Sequence, residues 1–190
     1  MSEPGSTEIQ VVAVNGGVGF PSTTRSLTDA LVREVAASAP GVRSTTIDVR
    51  GLASDIADAT VLGLPSAALD EALRTVERAD LVIAGSPVFR GSYAGLFKGF
   101  WDLIEPVSMR GKPVLLSATG GSSRHQLMID QSMRPLFAYF GALIAPTAVY
   151  AATDDFGVAG ALQPDLARRV ERAGREAAHL ALAHREHQPS

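Results

Sequence analysis

Three short segments of this 190-residue chain have residue types and spacing that could hold a ligand. In Pro21-Ser22-Thr23-Thr24-Arg25-Ser26-Leu27, hydroxyls stand at 22, 23, 24 and 26 with one arginine among them, just ahead of an apolar stripe of helical spacing. A helix N-terminus carries unpaired backbone N–H groups and a partial positive charge. Hydroxyl donors and a guanidinium placed there complete a shell for a terminal phosphomonoester. A single hydroxyl at Ser22 or Thr24 would read as an N-cap; four of them with Arg25 favour phosphate, held by Ser22, Thr24, Arg25 and Ser26.

The second segment is Gly85-Ser86-Pro87-Val88-Phe89-Arg90-Gly91-Ser92-Tyr93, between a strand-like and a helix-like run. Pro87 fixes the backbone, and Phe89 or Tyr93 could flank a ring or pack into the core. Backbone N–H groups at Val88, Phe89 and Arg90 could meet the polar edge of a flat heterocycle. That composition suits an aromatic ligand more than a phosphate, which makes flavin the leading reading. The third segment, Thr119-Gly120-Gly121-Ser122-Ser123-Arg124-His125-Gln126, pairs two glycines whose backbone a ligand can approach closely. Gly121 and Ser122 would meet the pyrimidine side of a flavin, Arg124 could serve the extra phosphate of NADPH, and His125 reads as a helix cap ahead of the alternative that it faces the flavin.

The elements that must position these segments alternate. Strands are expected at Ile9–Val14, Ser44–Val49, Leu81–Ala84, Pro113–Ala118 and Leu143–Tyr150. Helices are expected from Leu27 to Pro40, and near Ser66–Arg78, Gly95–Ile104, Gln126–Tyr139 and Pro164–His184, with Pro135 kinking the fourth. Gly51 to Pro65 reads as a looser stretch. Short crossovers between alternating elements give an α/β doubly wound sheet, five-stranded and parallel, with helices on both faces. The order 2-1-3-4-5 puts the Pro146 strand at an edge, where a missing N–H is tolerated. It also gathers all three segments at one rim, beside the switch point where such sheets bind ligands. One domain is expected over residues 9–186, with loose tails at 1–8 and 187–190.

Composition narrows the function. A net charge of −3 leaves no basic footprint for nucleic acid, nor the dense acidity of a small electron carrier. With no cysteine, thiol nucleophiles, disulfides and cysteine-bound metal are excluded, and His179, His184 and His187 do not cluster with carboxylates, so no metal site is expected. No apolar run reaches the roughly 18 residues of a membrane span, and the first residues lack the apolar core of a signal peptide. A cytoplasmic protein is expected. Gly17-x-Gly19-x-x-Ser22 approaches the dinucleotide fingerprint, with Asp48 placed to meet a ribose hydroxyl. Ser22 stands where that motif needs glycine, however, and Pro21 interrupts it.

Together the segments resemble the flavodoxin-like NAD(P)H-dependent FMN reductases, in particular those that supply reduced flavin to luciferase-like, two-component monooxygenases. The resemblance runs over about residues 9–155. It is carried by Pro21-Ser22-x-Thr24-x-Ser26-Leu27, Ser86-Pro87-Val88-Phe89, Ser92-Tyr93-x-Gly95-Leu96-x-Lys98, Ala118-Thr119-Gly120-Gly121-Ser122, His125-Gln126-Leu127, Asp130 and Arg134-Pro135-Leu136. It departs at Gly16-Gly17-Val18-Gly19, where the family usually has Gly-Ser-x-Arg, and at Gln131, where some relatives carry tyrosine.

The resemblance implies FMN with NADPH or NADH as cofactors, hydride transfer from nicotinamide to flavin, and a flavin monooxygenase as partner. It implies no catalytic side chain, because the flavin carries the chemistry. The rivals are a quinone- or azo-type reductase that keeps FMN bound and a non-enzymatic electron carrier. Leu96, Phe97, Phe100, Trp101 and Ile104, with Leu127, Met128, Ile129, Met133, Leu136 and Phe137, make two helices so apolar that a homodimer or homotetramer is expected.

Overall fold

The computed structural model describes residues 8 to 186, so the expected tails, Glu8 apart, lie outside the described residues. Three strands form the centre of one parallel sheet: β1 (Ile9–Asn15), β3 (Leu81–Phe89) and β5 (Pro113–Gly120). Their side chains alternate between two cores. Val12 and Val14 of β1, Val82 and Ala84 of β3, and Val114, Leu116 and Ala118 of β5 enter one core. Val11, Ala13, Leu81, Ile83 and Leu115 enter the other. Both faces are therefore dry, the reason these strands are nearly continuous apolar runs.

One face is covered by α1 (Thr23–Ser38) and the final long helix, Pro164–Glu186, which pack against each other. The opposite face is covered by α2 (Ala53–Leu62), α3 (Ala67–Glu77), α4 (Gly95–Trp101) and the segment from Met128 to Phe140. With β2 (Val42–Asp48) outside β1, the order is β2-β1-β3-β5. The position outside β5 is shared by β6 (Leu143–Ile144) and β7 (Val149–Ala152), both parallel to it. The doubly wound, flavodoxin-like order is as expected, with the fifth strand split at Pro146. In the gap, Thr147 N–H is satisfied by Glu176 Oε2 at 3.0 Å.

Three expectations need correction. The stretch after Gly51 contains α2, which buries only Ile56 and Ala59 and so shows little periodicity. Gly63, at φ +74°, closes it by donating from its N–H to Ala59 O at 2.8 Å. The single helix expected over Gln126–Tyr139 is a 3-10 turn at Ser123–His125, a π-helical turn at Ile129–Met133 and α5 (Arg134–Tyr139), with Pro135 in the first turn of α5. The apolar stripes read as an assembly surface mostly cover this chain's own sheet: Phe97, Phe100, Trp101, Met133 and Phe137 are fully buried. On the 126–139 segment, the large apolar side chains that remain exposed are Leu127 and Tyr139.

Candidate functional site

The rim above the sheet is built first by β1 turning into α1. Gly16 N–H donates to Gly85 O at 2.7 Å, pinning the loop to β3. Gly17 lies so close to Ser22 that any side chain would overlap the Ser22 hydroxyl, and its N–H donates to Asn15 Oδ1 at 3.1 Å. Asn15 Nδ2 donates to Asp48 Oδ1 at 2.6 Å, and Arg25 donates to Asp48 Oδ2 at 2.6 Å and to Asp29 at 2.8 Å. Partial burial lowers the Arg25 pKa, but its bonds to Asp29 and Asp48 outweigh this and hold it above the ordinary value.

The expected phosphate shell is therefore redistributed. Thr24 is 2 % exposed, and its hydroxyl is 2.6 Å from that of Thr119, tying α1 to β5 beneath the rim. Both threonines are buried and one hydroxyl donates to the other, while Arg25 braces the loop instead of standing free. Ser22 caps α1, accepting from Arg25 N–H at 3.2 Å, while Ser26 donates to Ser22 O at 3.3 Å. Ser22 and Ser26 remain part-exposed, next to first-turn N–H groups that no helical carbonyl can reach.

The second wall is a hairpin rather than a loop. β3 continues through Pro87 to Phe89 and returns as β4 (Ser92–Tyr93), pairing Val88 with Tyr93 and Phe89 with Ser92. Arg90 and Gly91 make the turn at φ +53° and +85°, the two successive positive values of a type I′ turn. Ser86 is fully buried; its Oγ accepts from Ala94 N–H and donates to Pro87 O, both at 3.0 Å, fixing the hairpin to the start of α4. Tyr93 packs against Phe97 with ring centroids 6.0 Å apart, whereas Phe89 is 47 % exposed.

The third wall is β5, which extends through Thr119 and Gly120 instead of ending at Ala118. A Cβ at Gly120 would overlap the Tyr150 hydroxyl, which donates to Ser122 O at 2.7 Å. Burial, then the nearby Asp155 charge, raise the Tyr150 pKa, so the phenol stays a donor at neutral pH. Gly121 has open space where a side chain would stand. Between the hairpin and this segment lies a cleft of about 700 Å³, lined by Val88, Arg90, Gly91, Gly121, Ser122, Arg124 and His125. Its volume falls in the range of small-molecule sites, about 300–1,000 Å³.

Val88, Arg90, Gly121 and Ser122 thus share one cleft, while Pro87 and Phe89 belong to the strand behind its hairpin wall. Ser22, Arg25 and Ser26 surround the α1 N-terminus. The β-ladder joins the two regions, since Pro87 is in register with Thr119, whose hydroxyl meets Thr24. A mononucleotide flavin fits this division: an anion place at α1 and a ring-sized cleft with an unobstructed glycine. Asn15 and Tyr150 were not read as site residues. The Asn-Gly-Gly turn signal pointed toward the first, but Tyr150 carried no local signal. Among the described residues no group of His, Asp and Glu could hold a metal, and no single helix is long and apolar enough to cross a membrane.

Comparison with known proteins agrees with this geometry. The family model for NADPH-dependent FMN reductase matches residues 9–156. The NADH-dependent FMN reductase SfnF of Pseudomonas putida is 42% identical over 164 residues, 86% of this chain and 88% of that protein. An FMN reductase (NADPH) of Pseudomonas aeruginosa is 39% identical over 175 residues, 92% of this chain and 94% of its own. Among solved structures, an oxidoreductase from Corynebacterium diphtheriae superposes with a TM-score of 0.84 at 32% identity, covering 94% of this chain and 99% of that one. The apo form of an NADH:FMN oxidoreductase gives 0.80 at 28% identity, covering 92% and 89%. The chain belongs to the NADPH-dependent FMN reductase family and is an NAD(P)H-dependent FMN reductase, with FMN and a reduced nicotinamide dinucleotide as its reactants.

Proposed function

We propose that this enzyme takes up FMN as an exchangeable reactant and hands the reduced flavin to a two-component flavin monooxygenase. The observation that carries this is the openness of the ring-sized cleft: Arg90, Gly91, Gly121, Arg124 and His125 of its lining are all solvent-exposed. When bound, FMN supplies a ring nitrogen that accepts hydride from the nicotinamide. The chain's own contribution is placement. Ser22, Ser26 and the first-turn N–H groups of α1 hold the phosphate; the Asp48–Arg25–Asn15 bonds keep that loop in shape; Val88, Gly121 and Ser122 bound the ring. No side chain is assigned a proton transfer. We extend the proposal to a homodimer or homotetramer, now resting on exposed Leu127 and Tyr139 rather than on the buried stripes.

The test follows nicotinamide absorbance with purified protein, NADH or NADPH, and graded FMN. Turnover that requires added FMN and saturates with it supports exchange. Full turnover without added FMN, with flavin co-purifying at one per chain, would show instead an enzyme that retains its flavin. A purified monooxygenase supplied with reduced flavin by this enzyme should turn over only while both are present. Sedimentation as a monomer at micromolar concentration would remove the assembly proposal.

A further inference from the structure

The mouth of the cleft carries more positive charge than a flavin ring needs. Arg90 projects from the tip of the hairpin on one side, while Arg124 and His125 stand on the 3-10 turn of the other. Among the described residues neither Arg90 nor Arg124 is paired with a carboxylate, whereas Arg25, Arg74, Arg134 and Arg169 all are. Arg33, Arg50 and Arg110 likewise have no carboxylate partner among the described residues, but Arg90 and Arg124 line one cleft together. The FMN phosphate does not account for them, because its place is at the α1 N-terminus.

Arg90 adds a conformational argument. At φ +53° it occupies a turn position that favours Gly, which has no Cβ, or Asn and Asp, whose short polar side chains bond locally; a long side chain is strained there. Strain of this kind is retained where a side chain has a task. Guanidinium forks match phosphate oxygens in two-point, charge-assisted bonds. We propose that Arg90 and Arg124 form a clamp for the phosphates of the nicotinamide dinucleotide, admitting the hydride donor from the open side of the flavin cleft. The clamp rests on the reading that donor and flavin meet in this cleft.

The test compares Arg90→Asn, Arg124→Ala and the double variant with wild type and with Arg50→Ala, an exposed arginine outside the cleft. KM for NADH and NADPH is measured at saturating FMN. Calorimetry on the protein without flavin measures ADP and adenosine 2′,5′-bisphosphate binding, and fluorescence titration measures FMN binding. Each cleft variant should raise the coenzyme KM about tenfold, matching the loss of one hydrogen bond to a charged group. The dissociation constant for FMN should stay at the wild-type value.

Loss of affinity for ADP and for both coenzymes assigns the clamp to the pyrophosphate, which adenosine 2′,5′-bisphosphate lacks, and loss confined to the bisphosphate and NADPH assigns it to the 2′-phosphate. Unchanged coenzyme KM and nucleotide binding in the double variant, with normal wild-type turnover, overturns the clamp alone. FMN affinity falling in step with coenzyme affinity also overturns it, by moving the arginines to the flavin. A wild-type enzyme that oxidises neither coenzyme in the presence of FMN removes the cleft reading and the clamp together.

Discussion

Gly120→Ala is the sharpest test of how the third wall is held. The new methyl would overlap the Tyr150 hydroxyl oxygen, well inside the ordinary carbon–oxygen approach of about 3.3 Å, and would stand 3.2 Å from Cζ. Tyr150 must swing away, losing its 2.7 Å bond to Ser122 O, worth about 1 kcal/mol. Overpacking adds about 1–3 kcal/mol. Thermal or urea melts should therefore show a loss of about 2–4 kcal/mol, and FMN titration a several-fold weaker affinity as the Gly121–Ser122 edge shifts. Tyr150→Phe removes only the hydrogen bond and should cost about 1 kcal/mol. In the Tyr150→Phe background the offending oxygen is gone, so Gly120→Ala should cost much less than in the wild type. The cycle should show a coupling of about 1–3 kcal/mol that makes the double variant better than the sum of its parts. Additive costs, or a Gly120→Ala protein with wild-type melting and FMN affinity, would refute the reasoning.

Two further outcomes are expected. Ser22→Ala removes the cap on Arg25 N–H and should lower stability by about 1 kcal/mol in urea melts. Adding Arg25→Ala leaves Asp29 and Asp48 without their cation beside the anion place, so FMN affinity should fall further, and less so at high salt; an unchanged FMN dissociation constant removes the phosphate assignment. Lys112 is 7 % exposed, its Nζ donating to Glu77 O at 2.8 Å and Ala79 O at 2.6 Å. Burial lowers its pKa from 10.5 to about 8, against the opposing charges of Asp80 and Glu77. Between those two pH values the unfolded chain binds the proton more tightly, so stability rises with pH. Relative to Lys112→Met, the wild type should gain about 3 kcal/mol from pH 8 to 10.5 in denaturant midpoints, and a flat difference would show that the buried amine is not the source.

The sheet was legible because strands buried on both faces must be apolar at nearly every position, and β1, β3 and β5 are. What failed to read locally was decided by partners far along the chain. Pro87 signals the end of a strand, yet β3 continues because its last residues pair with its own returning segment, β4. Thr24 and Thr119 stand far apart in sequence, and only a fold that brings residues 95 positions apart into contact shows one hydroxyl donating to the other. Helix apolarity at Phe97, Trp101 and Phe137 was read as surplus for assembly, but a sheet with aromatic cover on this face absorbs it.

Asp48 carries the same lesson into function. Its position after β2 allows the ribose-binding role of a dinucleotide fold, and the broken glycine motif before α1 invites it. In the structure Asn15 and Arg25 occupy its two oxygens, each at 2.6 Å. A dinucleotide seated there would meet an ion pair that solvent screens, worth about 0–1 kcal/mol, and the part-buried Asn15 bond beside it. A ribose at Asp48 would therefore have to share or displace these two bonds, whereas the α1 N-terminus offers first-turn N–H groups to an anion, which suits the phosphate of a flavin mononucleotide. On the clamp proposal the hydride donor enters from elsewhere on the rim, through the cleft that Arg90 and Arg124 line, two arginines without a carboxylate partner among the described residues.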